Sequence, residues 1–498
     1  MIEYPKLQNG SDVRGVALPG VAGEPVDLTG EAAHTIAMAF THWLSNRLGK
    51  EASDLSIGVG RDSRLSGPDL QREALTGIAA AGAAGYDCAM ASTPAMFMST
   101  VLPEAGFDGA VMITASHLPW NRNGMKFFTR QGGLESSEIK ELLASAAAGV
   151  SPAEKAGRLH SLDIITPYAH HLRRCIIEGV GAGEKPLLGL KIAVDAGNGA
   201  GGFFAGKVLA PLGADTTASL YLEPDGHFPN HIPNPENAEA MEAIHKATVE
   251  GGCDLGLIFD TDVDRAGAIE ADGSELCRNR LIALIAAIIA EDAPGSTVVT
   301  DSVTSDQLGE FITTRLHCRH HRFKRGYKNV INEAIRLNAG GTRCELAMET
   351  SGHGALRENY FLDDGAYLAT KLVIRYARLH REGRSFADLL QGMREPLEAR
   401  ELRLPLPAED FKAAGKAVLD ALEEYAAEKG WQLAPSNYEG LRYTLPQYNG
   451  WFLLRMSLHD PLMPLNIESD LPGGAAAILE ELRPFLLSQK ALDLSGLS

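Results

Sequence analysis

No Cys-x-x-Cys pair occurs in this chain of 498 residues, and the six cysteines (Cys88, Cys175, Cys253, Cys277, Cys318, Cys344) are scattered. Scattered cysteines predict free thiols in a reducing compartment. The cluster His317-Cys318-Arg319-His320-His321 is crowded by arginines and lacks a second ligand group at fixed spacing, which argues against zinc. No apolar run reaches membrane-spanning length, so no transmembrane helix is expected. Met1 to Asn9 lack a charged segment followed by an apolar core, so no secretory signal is expected. The resulting expectation is a cytoplasmic protein, or an organellar one if a transit peptide was removed ahead of this numbering.

Positive charge is in deficit. The 46 Lys and Arg against 64 Asp and Glu leave a formal charge of −18. That balance argues against nucleic acid or an anionic membrane as partner, and an anionic substrate must then be met by a local basic pocket. A dinucleotide fingerprint is missing too. Gly197-Asn198-Gly199-Ala200-Gly201-Gly202 follows a strand-like run, but its spacing is not that of a Gly-x-Gly-x-x-Gly unit with an acid to follow.

What is present describes a globular protein with real cores: 45% hydrophobic and 22% charged residues. The length suits roughly three or four domains. Thr29 reads as an N-cap, Ala32, Ile36, Phe40, Trp43 and Leu44 follow at helical spacing, and Gly49 is a stop. Strands are expected at Leu55 to Gly60, Gly109 to Ile113, Leu190 to Asp195, Leu255 to Phe259, Ser296 to Thr300 and Cys344 to Met348. A helix is expected from Leu70 to Gly85. Strand and helix alternate, which predicts α/β domains. The chain turns polar from Ser151 to Leu162, and a domain boundary is expected there.

Chemistry-bearing residues collect just after the apolar runs. Thr114-Ala115-Ser116-His117-Leu118-Pro119 follows Gly109 to Ile113, and Asn123-Gly124-Met125-Lys126 turns the chain back toward Ser116. A hydroxyl needs activation to be a nucleophile, and here an imidazole and a cation lie close in sequence. Asp260-Thr261-Asp262-Val263-Asp264-Arg265 follows Leu255 to Phe259. Three carboxylates at alternate positions can converge on one hard cation through oxygen, and without it they would repel one another. No Cys or His sits among them, so Mg²⁺ is the expected ion. Asp62 and Arg64, in Arg61-Asp62-Ser63-Arg64-Leu65-Ser66-Gly67, are read as ordering a turn.

The pattern Thr-Ala-Ser-His-x-Pro with Asn-Gly-x-Lys, Thr114 to Lys126, resembles the phosphoserine loop of the α-D-phosphohexomutases, phosphomannomutase/phosphoglucomutase-like members included. It departs at Leu118, where the family usually has Asn. Other segments resemble the family in order: Asp12-Val13-Arg14-Gly15, Asp260 to Arg265, Arg325-Gly326-Tyr327-Lys328, Glu349-Thr350-Ser351-Gly352-His353 and Arg455-Met456-Ser457-Leu458-His459-Asp460-Pro461. In the last, His459 replaces Thr and Asp460 replaces Glu.

The resemblance implies three related α/β units with mixed sheets plus a C-terminal α+β domain, with the active site in the central cleft. The expected domains are 1–160, 161–273, 274–395 and 396–498, carrying in turn the phosphoserine, metal, sugar-reading and phosphate-binding loops. It implies interconversion of hexose 1-phosphate and hexose 6-phosphate, of glucose or mannose, through a phosphoserine enzyme and a hexose 1,6-bisphosphate intermediate. The alternatives are a phosphoglucosamine mutase, a phosphosugar-binding pseudoenzyme or a phosphatase. Implied catalytic residues are Ser116, Lys126, His353, Arg14 and His117. Implied substrate contacts are Arg265, Lys328, Glu349, Ser351, Arg455, Ser457 and His459. Mg²⁺ would be held by phosphorylated Ser116, Asp260, Asp262 and Asp264. The expected partner is a small phosphosugar, with the chain a monomer or homodimer.

Overall fold

The computed structural model describes residues 2–457 and 460–495. The chain divides into two compact units, Met1–Leu281 with Ser351–Leu389, and Ile282–Thr350 with Leu390–Ser498. Among the described residues no helix is long and apolar enough to cross a membrane.

The first unit is built on two sheets. The larger is eight-stranded, and its main path runs Gln8–Asn9, Asp12–Val16, Arg122–Thr129, Gly109–Ile113, Ser56–Arg61, Ala84–Met90, Leu159–Ser161. Its centre is parallel, because Ser56–Arg61 pairs in parallel with both Gly109–Ile113 and Ala84–Met90. Arg122–Thr129 and Asp12–Val16 add antiparallel strands on one side, which makes the sheet mixed. Gly109–Ile113 is buried at all five positions, as expected for a continuous apolar run in a parallel sheet. The helix Gly30–Leu48 packs there through Ala32, Ile36, Ala37, Phe40 and Leu44. Its ends are as read from sequence: Thr29 accepts from Ala32 N, and Gly49 takes the left-handed conformation at φ 62°.

Two details differ from the sequence reading. The helix expected to reach Gly85 is Gly67–Ala80, and the next strand begins at Ala84. Gly82 at φ 95° turns the chain between them. The polar stretch Ser151 to Leu162 contains an edge strand, Leu159–Ser161, paired with Gly85 to Asp87. Its side chains are exposed, so it carries no apolar signal.

The second sheet has the order Glu275–Leu276, Ala266–Glu270, Leu255–Phe259, Ile192–Asp195. Leu255–Phe259 and Ala266–Glu270 form an antiparallel pair whose connection is the acidic loop.

In the other unit, Thr297–Thr300 pairs in parallel with Arg319–Arg322 and Cys344–Met348. A five-stranded antiparallel sheet follows, in the order Glu398–Pro405, Leu462–Ser469, Gly450–Leu454, Leu441–Leu445, Gln432–Leu433. The helices Phe411–Lys429 and Gly474–Ser488 cover one face through Val418, Leu422, Ile478, Leu482 and Phe485. Three α/β domains and a final α+β domain are the result, as the resemblance implied.

Candidate active site

Parallel strands place their carboxyl ends on one edge of a sheet, and ligands collect there. Gly109–Ile113 and Ser56–Arg61 end side by side, with Asp62 N donating to Ile113 O at 3.1 Å. The chain leaving Ile113 turns at once. Ser116 sits at φ 51°, a left-handed conformation that costs a non-glycine residue about 1–3 kcal/mol. Local bonds hold it: Ser116 N donates to Thr114 Oγ1 at 2.9 Å and Leu118 N to Ala115 O at 3.1 Å. The return strand passes so close that a Cβ on Gly124 would lie 2.8 Å from Thr114 O and collide with Val13 O. Only glycine fits there. Arg14 is directed inward from Asp12–Val16, bonding Asp12 at 2.9 Å and Thr114 O at 3.1 Å.

The acidic loop Asp260 to Arg265 closes the Leu255–Phe259 hairpin. Val263 adopts φ 67°, an outlier for a β-branched residue, held where Gly365 N donates to Val263 O at 3.0 Å. This bend points Asp260, Asp262 and Asp264 the same way. One carboxylate oxygen from each lies within 4.8 Å of the other two, and all three residues are buried.

Cations offset that charge in part. Lys126 Nζ lies 3.1 Å from Asp262 Oδ2 and bonds Asp264 as well. Arg265 donates to Asp260 Oδ2 from Nε at 3.1 Å and from Nη2 at 2.9 Å. Burial, then repulsion from Asp264, pushes the Asp260 carboxyl well above the usual range. Burial also acts to raise Asp262, but the Lys126 ammonium beside it wins and holds it below its ordinary value. Asp262 Oδ1 and Asp264 Oδ1 are buried and have no hydrogen-bond partner among the described residues. Two buried oxygens without donors in a set of three carboxylates fit a hard divalent cation, which would satisfy them.

Ser116 lies against this cluster. Its hydroxyl donates to Asp260 Oδ2 at 2.8 Å and accepts from Arg265 Nη2 at 2.8 Å. His117 Nδ1 is 3.3 Å from the same hydroxyl and 2.6 Å from Arg265 Nη2. The Arg265 charge, then burial, lowers the His117 imidazole to about 2, so the ring is neutral. His353 Nε2 is 3.6 Å from both Asp264 Oδ1 and Asp363 Oδ2, and its Nδ1 is 2.8 Å from Ser351 Oγ. Burial lowers the His353 imidazole to about 3. One unit thus gathers Arg14, Ser116, His117, Lys126, Asp260, Asp262, Asp264, Arg265, Ser351 and His353.

The other unit holds the remaining predicted residues. Glu349 follows Cys344–Met348 and accepts from Gly326 N at 2.6 Å. Burial and then the neighbouring Asp301 raise its carboxyl to about 8. Gly326, at φ 111°, precedes the helix Tyr327–Ala339, so Lys328 lies in its first turn. Arg455 Nη1 contacts Glu439 Oε1 at 3.3 Å, and Asp460 N donates to Ser457 Oγ at 3.2 Å. His459 lies outside the described residues.

Three family models match the chain in succession: phosphoglucomutase/phosphomannomutase alpha/beta/alpha domain I over 5–151, domain II over 166–273 and domain III over 278–396. A phosphomannomutase/phosphoglucomutase of Pseudomonas putida is 30% identical over 477 residues, covering 95% of this chain and 96% of the relative. The chain belongs to the phosphoglucomutase/phosphomannomutase family. A phosphoglucomutase of Neisseria meningitidis serogroup A is also 30% identical, over 475 residues, with 95% and 96% covered. The crystal structure of a phosphoglucomutase/phosphomannomutase family protein from Burkholderia thailandensis superimposes with a TM-score of 0.80 at 26% identity, covering 98% of each chain.

Beside the predicted residues, the structure of this phosphoglucomutase/phosphomannomutase family member places several that the sequence reading did not single out. Thr93 Oγ1 donates to Asp262 Oδ2 at 2.5 Å, and Thr93 N donates to Asp262 O at 2.8 Å. Asn234 accepts from Arg265 Nη1 at 3.1 Å. Glu439 accepts from Ser302 Oγ at 2.8 Å and Arg325 N at 2.7 Å as well as from Arg455, tying three segments to one carboxylate. Each of these contacts joins residues far apart in sequence, where no local pattern signals them.

Proposed function

We propose that this chain interconverts hexose 1-phosphates and hexose 6-phosphates of glucose and mannose, with Ser116 carrying the phosphoryl group. The observation that carries the reading is the Ser116 hydroxyl, bonded at 2.8 Å to both Asp260 and Arg265 beside three buried carboxylates. A surface serine would have no use for that surrounding.

Phosphoserine 116 gives its phosphoryl group to the free sugar hydroxyl: the Ser116 Oγ–P bond breaks and a sugar O–P bond forms. The hydroxyl proton passes to the neutral ring of His353, or to Lys126 once its ammonium has given up a proton, the two basic side chains that flank Asp264. The hexose 1,6-bisphosphate then reorients and returns its other phosphoryl group to Ser116. Arg265 and Arg14 supply fixed positive charge beside the transfer site, and positioning with electrostatics carries this class of reaction. Mg²⁺ held by Asp260, Asp262, Asp264 and the phosphorylated Ser116 would offset charge on the group in transfer. Glu349 and Ser351 would read sugar hydroxyls, and Lys328, Arg455 and Ser457 would hold the phosphate that is not moving.

A coupled assay with glucose 1-phosphate and mannose 1-phosphate, Mg²⁺ and a bisphosphate activator tests the reading. Hexose 6-phosphate is the expected product. Release of inorganic phosphate instead would make the chain a phosphatase, and no conversion would make it a binding protein.

A further inference from the structure

Arg64 has a fully buried side chain and yet no place in the reaction above. Its turn follows Ser56–Arg61, where the sequence reading gave it only the ordering of that turn. The structure sends its side chain elsewhere. Nη2 donates to Ser116 O and to Leu118 O, both at 2.5 Å, and Nη1 donates to Pro119 O at 2.8 Å and Arg122 O at 2.9 Å. Four carbonyls of one loop therefore converge on one guanidinium. Asp62 stands 3.6 Å from Arg64 Nε, and the Phe228 ring lies 5.5 Å from its Cζ.

We propose that Arg64 is the positioning residue of the phosphoryl-carrying serine, a rigid planar core around which the loop from Ser116 to Arg122 is moulded. Left-handed backbone at Ser116 and a proline at 119 turn successive carbonyls inward, where they would stand unpaired without a donor. A guanidinium offers five N–H groups in a fixed plane, while a lysine ammonium is a compact point with three donors on a flexible stem. Only the planar fork fills the loop with its shape unchanged. Arg64 touches neither the Ser116 hydroxyl nor the acidic triad, so its effect on transfer runs through the backbone of Ser116.

The inference rests on the function proposed above, and the test separates the two. In Arg64→Lys, kcat for hexose 1-phosphate is expected to fall by about 30-fold or more, the loss of two or so charge-assisted hydrogen bonds. KM should stay within about threefold, because ground-state contacts to the sugar are untouched. Arg64→Ala should regain turnover on addition of guanidinium at millimolar concentration and not on addition of ammonium. Hydrogen exchange in the peptide spanning 114–123 reads the same proposal without turnover, and it should accelerate in Arg64→Lys while the rest of the chain keeps its protection. Wild-type exchange in that peptide, an unchanged kcat, or rescue by ammonium as good as by guanidinium would overturn it. Collapse of the melting transition in both variants would assign Arg64 to the core of the first domain and overturn it as well. Wild-type protein lacking mutase activity, with the exchange difference present, would overturn the function alone.

Discussion

Arg265 Nη2 donates to Ser116 Oγ at 2.8 Å, across 149 positions of sequence. The same guanidinium is anchored by Asp260 and Asn234, so it is set in place before substrate arrives. Arg265→Lys keeps the charge and loses the fork. A hydrogen bond to a charged group contributes about 1.5–3 kcal/mol, which corresponds to a fall in kcat/KM of about 10- to 150-fold. Steady-state kinetics with glucose 1-phosphate measure it, and a change under twofold would remove Arg265 from the transfer step.

Ser116 is the only hydroxyl bonded to both Asp260 and Arg265 among the described residues. After treatment with glucose 1,6-bisphosphate, intact mass and peptide analysis should place one phosphate on Ser116. Ser116→Ala should take up none and lose turnover. Full activity in that variant would sink the mechanism.

The orphaned Oδ1 atoms of Asp262 and Asp264 predict stabilisation by a divalent cation. Mg²⁺ at 100 times its dissociation constant should add about 2.7 kcal/mol to the stability of the unit that binds it. The melting temperature should rise with Mg²⁺ in the wild type and much less in Asp262→Asn, and a chelator should abolish turnover. Equal Mg²⁺ shifts in both proteins would place the ion elsewhere.

Glu349 has its folded carboxyl raised to about 8 by burial and by Asp301, against 4.5 as the ordinary value. A raised folded value means that the protonated form is favoured on folding. Its contribution to stability is full below about pH 4.5 and is lost as pH rises toward 8. Glu349→Gln keeps an acceptor for Gly326 N and removes the titration. The variant should therefore gain stability on the wild type between pH 5 and 8.5, followed by denaturant melts across that range. Parallel pH profiles would show that Glu349 ionises without cost.

Arg442 is buried over the Trp451 ring at 3.5 Å and donates to Ser302 O at 2.9 Å, Thr304 O at 3.0 Å and Asp306 at 2.9 Å. Arg442→Leu takes that donor from the Ser302 and Thr304 carbonyls, while Asp306 keeps Arg322 at 2.8 Å. Leaving a buried acceptor without its donor costs about 1–3 kcal/mol, and two carbonyls lose theirs here, while the half-exposed Asp306 adds little. Urea unfolding should show the loss, and an effect below about 1 kcal/mol would mean the acceptors are rehydrated.

Two loops of the candidate site were legible because each is a short contiguous segment after an apolar strand. Thr114 to Lys126 and Asp260 to Arg265 stand directly after Gly109–Ile113 and Leu255–Phe259, both fully buried. A strand buried on both faces leaves a continuous apolar signature, and residues at its carboxyl end are thereby marked. Leu159–Ser161 shows the opposite case: an exposed edge strand whose pairing comes from its neighbour and not from its composition. Arg64 was legible as part of a turn, which Asp62 orders by accepting from Arg64 N at 2.9 Å, but its side-chain acceptors were not, since they lie more than 50 positions away.

The sequence by itself determined the family, the alternation of strands and helices, and the residue types at the end of each strand. Those properties are written in hydrophobic period and in contiguous loops, which depend on neighbours a few positions apart. Only the tertiary structure decided that Ser116 shares Asp260 with Arg265, that Lys126 serves Asp262 and Asp264, and that Arg64 sits inside the serine loop. Such contacts arise when sheet register and burial bring distant segments together. A buried charge takes whichever partner the packing places within reach, and that choice has no local trace in the chain.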